Sequence, residues 1–311
     1  MLIVRAMGGL GNQLQQYALY RKLEQIGKDV RLDISWFSNE AFQATMAAGR
    51  ELELNYLNPL PYRVATEEEI RAVLGRLWEE PEGIGSKIKR KLQPARSHSF
   101  EENDMYHEQI FDMDHKYLVG YWACEKYYAD IMDLLRADIT FPRSGDETLQ
   151  KRNDEISRQM EEDLSVSVHI RRGDYLDDVN RALFGGICTD AYYETAIGYI
   201  KERFADAVFY IFSDDIPYVR ERYRGKEYRI VDWNHGKDSF YDMMLMSRCR
   251  HNICANSTFS FWGARLNPHA DKVMIRPSVH KNTQVCVPEQ MKELWAGWLL
   301  VTPQGVQING D

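Results

Sequence analysis

Residues 164–175, LSVSVHIRRGDY, alternate with a period of two: Val166, Val168 and Ile170 on one side, Ser165, Ser167, His169 and Arg171 on the other. Side chains two apart share one face of a strand, so the pattern predicts a buried strand with His169 and Arg171 pointing the same way. Similar short apolar runs predict strands over 2–6, 29–34, 117–121, 207–212, 228–231, 252–255 and 272–275. Helical spacing predicts a helix carrying Leu14, Tyr17, Ala18 and Leu23, others starting at Thr66 and near Glu125, and others over 146–164, 190–204, 238–249, 261–266 and 288–300. Thr66 caps its helix, Glu69 completes a capping box, and Ile70, Val73, Leu74 and Leu77 form the apolar face. The stretch 177–188 reads as a loop. Strands alternating with helices on both sides of a break predict two Rossmann-like α/β domains facing a central cleft. The helical pattern stops at FPRSG, 141–145, which places the boundary between Phe141 and Leu164. The domains are then 1–150 and 151–311, bridged by the charged helix 146–164, with a closing C-terminal helix.

Composition narrows the partners. The 311 residues suffice for two domains, and 44% hydrophobic with 28% charged content is that of a soluble globular protein. A net charge of −8 argues against a general nucleic-acid binder, so an anion must be met by a local basic site. The basic stretch from Lys87 to Arg96 reads as an exposed connection. Five scattered cysteines (124, 188, 249, 254 and 286) form no disulfide framework and suit a reducing compartment. The N-terminus lacks the pattern of a signal peptide, and no run approaches the roughly 20 apolar residues of a membrane helix. A cytoplasmic protein is expected, with peripheral membrane association left open.

Open parallel sheets bind ligands beyond the carboxyl ends of their strands, and the polar clusters 8–13, 169–174, 213–215 and 256–260 all fall there. Guanidiniums at such a mouth are costly unless an anion meets them, and arginine's planar fork suits phosphate oxygens. Arg172 faces away from His169 and Arg171; an Arg172–Asp174 pair holding the turn is the plainer alternative. Gly9 and Gly11 let a ligand approach the backbone, with Asn12 and Gln13 at the tip of a tight turn. The same turn fits a dinucleotide site with Asp33 as ribose acceptor, although Leu14 replaces the third glycine of that fingerprint. Asn256, Ser257 and Thr258 suit either helix capping or an anion site, which with Arg171 would hold a diphosphate without a metal. Asp214 or Asp215 suits either a capped helix start or a carboxylate reading the adjacent N–H groups of guanine.

Four motifs carry a resemblance. VHIRRGDY at 168–175 resembles the HxRRGDY motif of the α-1,2-fucosyltransferases, glycosyltransferase family 11. GGLGNQ at 8–13, GYWACEKYY at 120–128 and DMMLMSRCRHNICANSTFSFWGA at 242–264 resemble that family in the same order. The resemblance implies a GT-B-like fold, a GDP-fucose donor, a galactoside acceptor fucosylated at its 2-hydroxyl, inversion at the anomeric carbon, and no required metal or other cofactor. By position, Arg171 matches the diphosphate-binding arginine, His169 its neighbouring nucleotide contact, and Asn12 the asparagine reaching over from the N-terminal domain. Gly9, Gly11, Arg172, Asp174, Asn256, Ser257, Thr258 and Phe259 complete the donor set, with Asp214 or Asp215 on guanine. Asp174, Asp177 and Asp178 are in reach as a general base, of which Asp177 is singled out. Gln15 stands where the family commonly has Phe, and Phe261 where it has Trp. Asp112 and Asp114 have the spacing of the acidic metal pair of some glycosyltransferases, a spacing that also recurs by chance. Two rival readings are an NAD-dependent sugar-nucleotide oxidoreductase using Asp33, and a non-catalytic carbohydrate-binding protein.

Overall fold

Each short apolar run lies down as a strand because the helices between them cover both faces of a parallel sheet. The computed structural model describes residues 1–38, 49–75, 98–172, 178–283 and 288–308. It divides into two units, Met1–Thr140 and Phe141–Asp311, so the helix expected to bridge domains lies wholly in the second.

The first unit holds β1 (Leu2–Arg5), α1 (Leu10–Gln25), β2 (Val30–Asp33), α2 (Glu67–Leu74), β3 (Ser99–Glu101), β4 (Lys116–Val119) and α3 (Met132–Asp138). Its four strands are all parallel, in the order β2-β1-β4-β3. Leu14, Tyr17, Ala18 and Leu23 of α1 are buried, as their spacing predicts. The capping box forms: the Glu69 N–H donates to Thr66 Oγ1 at 3.2 Å, and the Thr66 N–H to Glu69 Oε2 at 2.9 Å. Gln15 is fully buried, and among the described residues both its amide atoms lack a hydrogen-bond partner. An unsatisfied buried amide costs about 1–3 kcal/mol. Gln15→Met, similar in volume, is therefore expected to raise the melting temperature by roughly 2–4 °C per kcal/mol gained; an unchanged or lower melting point would refute this.

The second unit holds α4 (Glu147–Glu162), β5 (Leu164–Ile170), α5 (Asp178–Phe184), α6 (Asp190–Arg203), β6 (Ala207–Ser213), α7 (Ile216–Arg222) and β7 (Tyr228–Val231). There follow α8 (Phe240–Arg248), β8 (His251–Ile253), α9 (Thr258–Leu266), β9 (Met274–Pro277), α10 (Pro288–Leu294) and β10 (Leu299–Val301). All six strands are parallel, in the order β10-β9-β8-β5-β6-β7. Counted from the unit's first strand this is 3-2-1-4-5-6, the doubly wound order of a Rossmann domain. Val166, Val168 and Ile170 pack on Tyr192, Tyr193, Ala196 and Ile200 of α6. Serines occupy the opposite face of β5: Ser165 Oγ donates to Met160 O at 2.6 Å and accepts from the Arg250 N–H at 3.1 Å, and the Asn252 side chain donates through Nδ2 to Ser167 Oγ at 2.7 Å. Gly263 serves a close approach, because a Cβ there would stand 2.7 Å from that of Met246 on α8.

The outer strand β10 is covered by the chain that follows it. Val301 bridges Gln307 in antiparallel sense, Thr302 N–H donates to Val306 O at 2.8 Å, and Ile308 N–H to Leu300 O at 2.9 Å. The other outer strand, β7, exposes Arg229, whose guanidinium folds back to the carbonyls of Lys226 and Tyr228.

Four expectations are corrected. The helix expected to start near Glu125 starts at Met132, after two 3₁₀ turns. Helix α1 starts at Leu10, so Gly11, Asn12 and Gln13 form its first turn instead of a turn tip. The stretch read as a loop contains α5. The closing helix stops at Leu294; Gly297 at φ +84° turns the chain, and Leu299–Val301 enters the sheet as β10. The basic stretch from Lys87 to Arg96 lies outside the described residues. No described helix is long and apolar enough to cross a membrane.

Candidate active site

The topology of the second sheet nominates a place before any side chain is considered. From β5 the chain proceeds to β6 on one side, and from β8 to β9 on the other, so the crevice opens between the carboxyl ends of β5 and β8. Arg171 is the first residue beyond β5, and Ser257 and Thr258 begin the helix that follows β8. His169, 8% exposed, closes the distance: its ring lies 5.9 Å from that of Phe259 in the first turn of α9, tilted by 42°. The His169 carbonyl accepts from the Tyr193 hydroxyl at 3.0 Å, which fixes the strand end against α6.

Ser257 occupies the N-cap position of α9 but its side chain makes no capping hydrogen bond, so the plain capping reading does not hold for it. Asn256 is anchored twice: its N–H donates to Cys188 Sγ at 3.1 Å and its side-chain Nδ2 to His280 O at 2.6 Å. A helix start held in this way presents backbone N–H groups and the positive end of its dipole to the crevice.

Arg172 turns the other way, as alternation predicts. Its N–H donates to Asp214 Oδ1 at 2.8 Å, its Nε to Asp215 Oδ2 at 3.0 Å, and its guanidinium carbon lies 3.9 Å from the centre of the Tyr218 ring. The described ion-pair partner of Arg172 is thus Asp215, while Asp174 and Asp177 lie outside the described residues, as does the side chain of Asp178. Asp215 also caps α7, with its Oδ1 accepting the Tyr218 N–H at 3.1 Å, so both its oxygens are engaged. Asp214 has one oxygen engaged by the Arg172 N–H, against two for Asp215.

The glycine turn of the first unit is occupied by the chain itself. The Leu10 N–H at the start of α1 donates to Glu53 Oε2 at 2.9 Å, where a dinucleotide's pyrophosphate would need to sit. Gln13 Nε2 donates to Gly8 O and Glu51 O at 2.8 and 3.0 Å, and its Oε1 accepts from the Leu54 N–H at 3.1 Å. Gln16 spans the carboxyl ends of β1 and β4, accepting from the Met7 N–H at 2.9 Å and donating to Gly120 O at 3.0 Å. Asp33, 2% exposed, accepts from the Ser35 N–H at 2.8 Å and from the Tyr117 hydroxyl. The dinucleotide reading is therefore corrected: its helix terminus and its acidic residue are both engaged internally. Gly9 is the N-cap of α1, and Asn12 packs over Gly8, where φ is +77° and a Cβ would meet Asn12 Nδ2 at 2.6 Å. Asp112 ends a 3₁₀ turn, and Asp114 pairs with Lys28 at 3.2 Å.

Asp242 opens the 242–264 motif, but the sequence assigns it no role. It lies in the first turn of α8, at the same edge of the sheet, and accepts from Asn234 Nδ2 at 2.8 Å. Asn234 and Asn153 exchange amide hydrogen bonds at 3.0 and 3.1 Å, and the Trp233 indole donates to Asn153 Oδ1 at 2.8 Å. Burial pushes the Asp242 carboxyl up to about 7, partly offset by the Asn234 hydrogen bond. The available signal was one carboxylate heading the apolar run MMLM.

Comparison with known proteins gives the family. A model of glycosyl transferase family 11 matches residues 100–299. An alpha-1,2-colitosyltransferase of Escherichia coli is 31% identical over 284 residues, covering 89% of this chain and 91% of the relative. The O-antigen biosynthesis glycosyltransferase WbnK of Escherichia coli is 32% identical over 291 residues, covering 87% and 91%. Among solved structures, a FUT1 mutant of Arabidopsis thaliana in complex with GDP aligns with a TM-score of 0.50 at 11% identity, over 88% of this chain and 70% of that one, which supports the GT-B-like fold. The chain belongs to glycosyltransferase family 11.

Proposed function

We propose that the protein transfers L-fucose from GDP-fucose to the 2-hydroxyl of a terminal galactoside, with inversion at the anomeric carbon and without a required metal. The observation that carries this reading is the contact between His169 and Phe259, which sets the strand end bearing Arg171 beside the start of α9. In a single displacement the acceptor hydroxyl attacks the anomeric carbon while the bond to the β-phosphate breaks, and negative charge builds on the departing GDP. Fixed donors aimed at such charge are usually the largest catalytic contribution. Arg171 supplies a guanidinium fork and α9 its N-terminal N–H groups, with Asp214 positioned to read the base. The general base is proposed to be Asp177, and Asn12 a further catalytic residue.

The nucleotide is tested by thermal shift with GDP, UDP, ADP and NAD. Selective stabilisation by GDP is expected, by about 2.7 kcal/mol at 100 times the dissociation constant; stabilisation by NAD alone, or by glycans alone, would select one of the rival readings instead. Since one relative is named a colitosyltransferase, turnover with GDP-fucose is to be compared with that of its 3-deoxy counterpart, GDP-colitose. A faster reaction with the latter would revise the sugar and leave the nucleotide unchanged.

A further inference from the structure

Two arginines lie in the interior behind α9. Arg276, on β9, is fully buried, and Arg265, near the end of α9, is 3% exposed. The Arg276 guanidinium carbon is 3.5 Å from the centre of the Trp295 ring and 4.3 Å from that of Phe261, and its Nε donates to Pro277 O at 3.1 Å. Arg265 stands 5.2 Å from the Trp295 ring centre and 5.4 Å from that of Trp262. Aromatic faces attract a desolvated cation, but burying a permanent charge remains costly where an apolar side chain of similar volume would pack as well. A cost of that kind is expected where the charge has a purpose.

Position supplies one. Ile253 of β8 pairs with Ile275 of β9, which puts Arg276 beside Cys254, two residues before Asn256. Alternation turns Ile275 into the core against α6 and Arg276 towards α9, where it meets Phe261 in the helix's second turn. The groups holding Asn256 feel this cation. Burial pushes the Cys188 and Cys254 thiols up to about 12, and Arg276 pulls both back down. Burial also pushes the His280 imidazole well below its usual range, and Arg276, Lys281 and Arg265 push it further. The field on these residues from the surrounding arginines is positive; Cys188 and His280 anchor Asn256, and Cys254 Sγ donates to Ser260 O in α9 at 3.3 Å.

Resting on the donor site proposed above, we infer that Arg276 is a buried cation beneath the start of α9, with Arg265 a second and more distant one near the helix's other end, and that it attracts the donor's diphosphate through the protein interior without touching it. It is a positioning residue, and its contribution scales with the charge of the ligand. Charge in a low-dielectric interior acts over longer distances and is less screened by salt than charge at the surface.

The test is a charge ladder of guanosine, GMP and GDP, binding to the unaltered chain, Arg276→Gln, Arg276→Lys and Arg265→Gln. Arg276→Gln is expected to weaken GDP about tenfold, GMP less, and guanosine within about twofold, while Arg276→Lys recovers most of the GDP loss. Arg265→Gln repeats the ordering at smaller size, and carries the test should Arg276→Gln not fold. A purely structural role would weaken all three ligands alike, and a flat profile overturns the inference. GDP binding by the unaltered chain and its loss in Arg171→Ala check the donor site separately, so a flat profile with that check intact counts against the buried cation alone.

Discussion

Arg171→Ala is expected to lose roughly 100-fold to 1000-fold in turnover, the effect of removing one fixed donor from a developing oxyanion. GDP affinity should fall with it, because the same fork holds the ground-state diphosphate. The loss should be larger in turnover than in GDP affinity, since charge on the β-phosphate is greatest as the glycosidic bond breaks. Arg171→Lys is expected to remain poor: an ammonium is a point charge on a flexible stem and cannot give two parallel hydrogen bonds to adjacent oxygens. Steady-state rates with saturating acceptor, together with GDP titrations, provide the check. Turnover near that of the unaltered chain in Arg171→Ala would remove the assignment.

The second large effect is on stability and its dependence on pH. The native Asp242 carboxyl keeps its proton up to about pH 7, whereas an unfolded aspartate releases it near pH 4. Folding therefore takes up a proton between these values, and this residue's contribution to stability declines as pH rises through that window and stays low above it. Asp242→Asn keeps an oxygen that accepts from Asn234 and removes the titration. Each tenfold change in proton affinity on folding is worth about 1.4 kcal/mol, so the substitution should stabilise the chain by on the order of 4 kcal/mol at pH 8. The advantage should shrink to less than about 1 kcal/mol near pH 4, where both states of the aspartate hold the proton much of the time. Urea unfolding of both chains across this range measures the difference directly. A gap that is constant with pH, or that widens on acidification, would show that the carboxyl is ionised in the native state.

Much of this architecture was legible because local pattern and tertiary demand agree. Strand β5 is legible from its period-two alternation, and of the serines on its other face Ser165 bonds neighbouring backbone while Ser167 bonds the Asn252 side chain. The capping box at Thr66 is local chemistry within four residues and formed as spaced. The errors arose where distant residues decide. Gly11, Asn12 and Gln13 look like a turn, but Glu53 and the backbone of Glu51 and Leu54, about 40 residues away, hold them in a helix. Leu299, Leu300 and Val301 continue an apolar run that periodicity cannot divide between helix and strand; the sign missed was Gly297. Within the site, Arg171, His169, Phe259 and the 256–258 junction were all nominated by their place at strand ends. The partner of Arg172 was not, because Asp215 is 43 residues from it. Asp242 and Arg276 escaped for a related reason: what distinguishes each is burial, which a single sequence does not display.

The treatment of the second sheet's two flanks bears on how copies of this chain can meet. Unpaired backbone along a flank invites another strand to dock there and continue the ladder. Here one flank is stitched shut by the returning tail at Val306 to Ile308, and the other is four residues long and guarded by a cation at Arg229. Self-association by strand addition is thereby disfavoured at either side of that sheet.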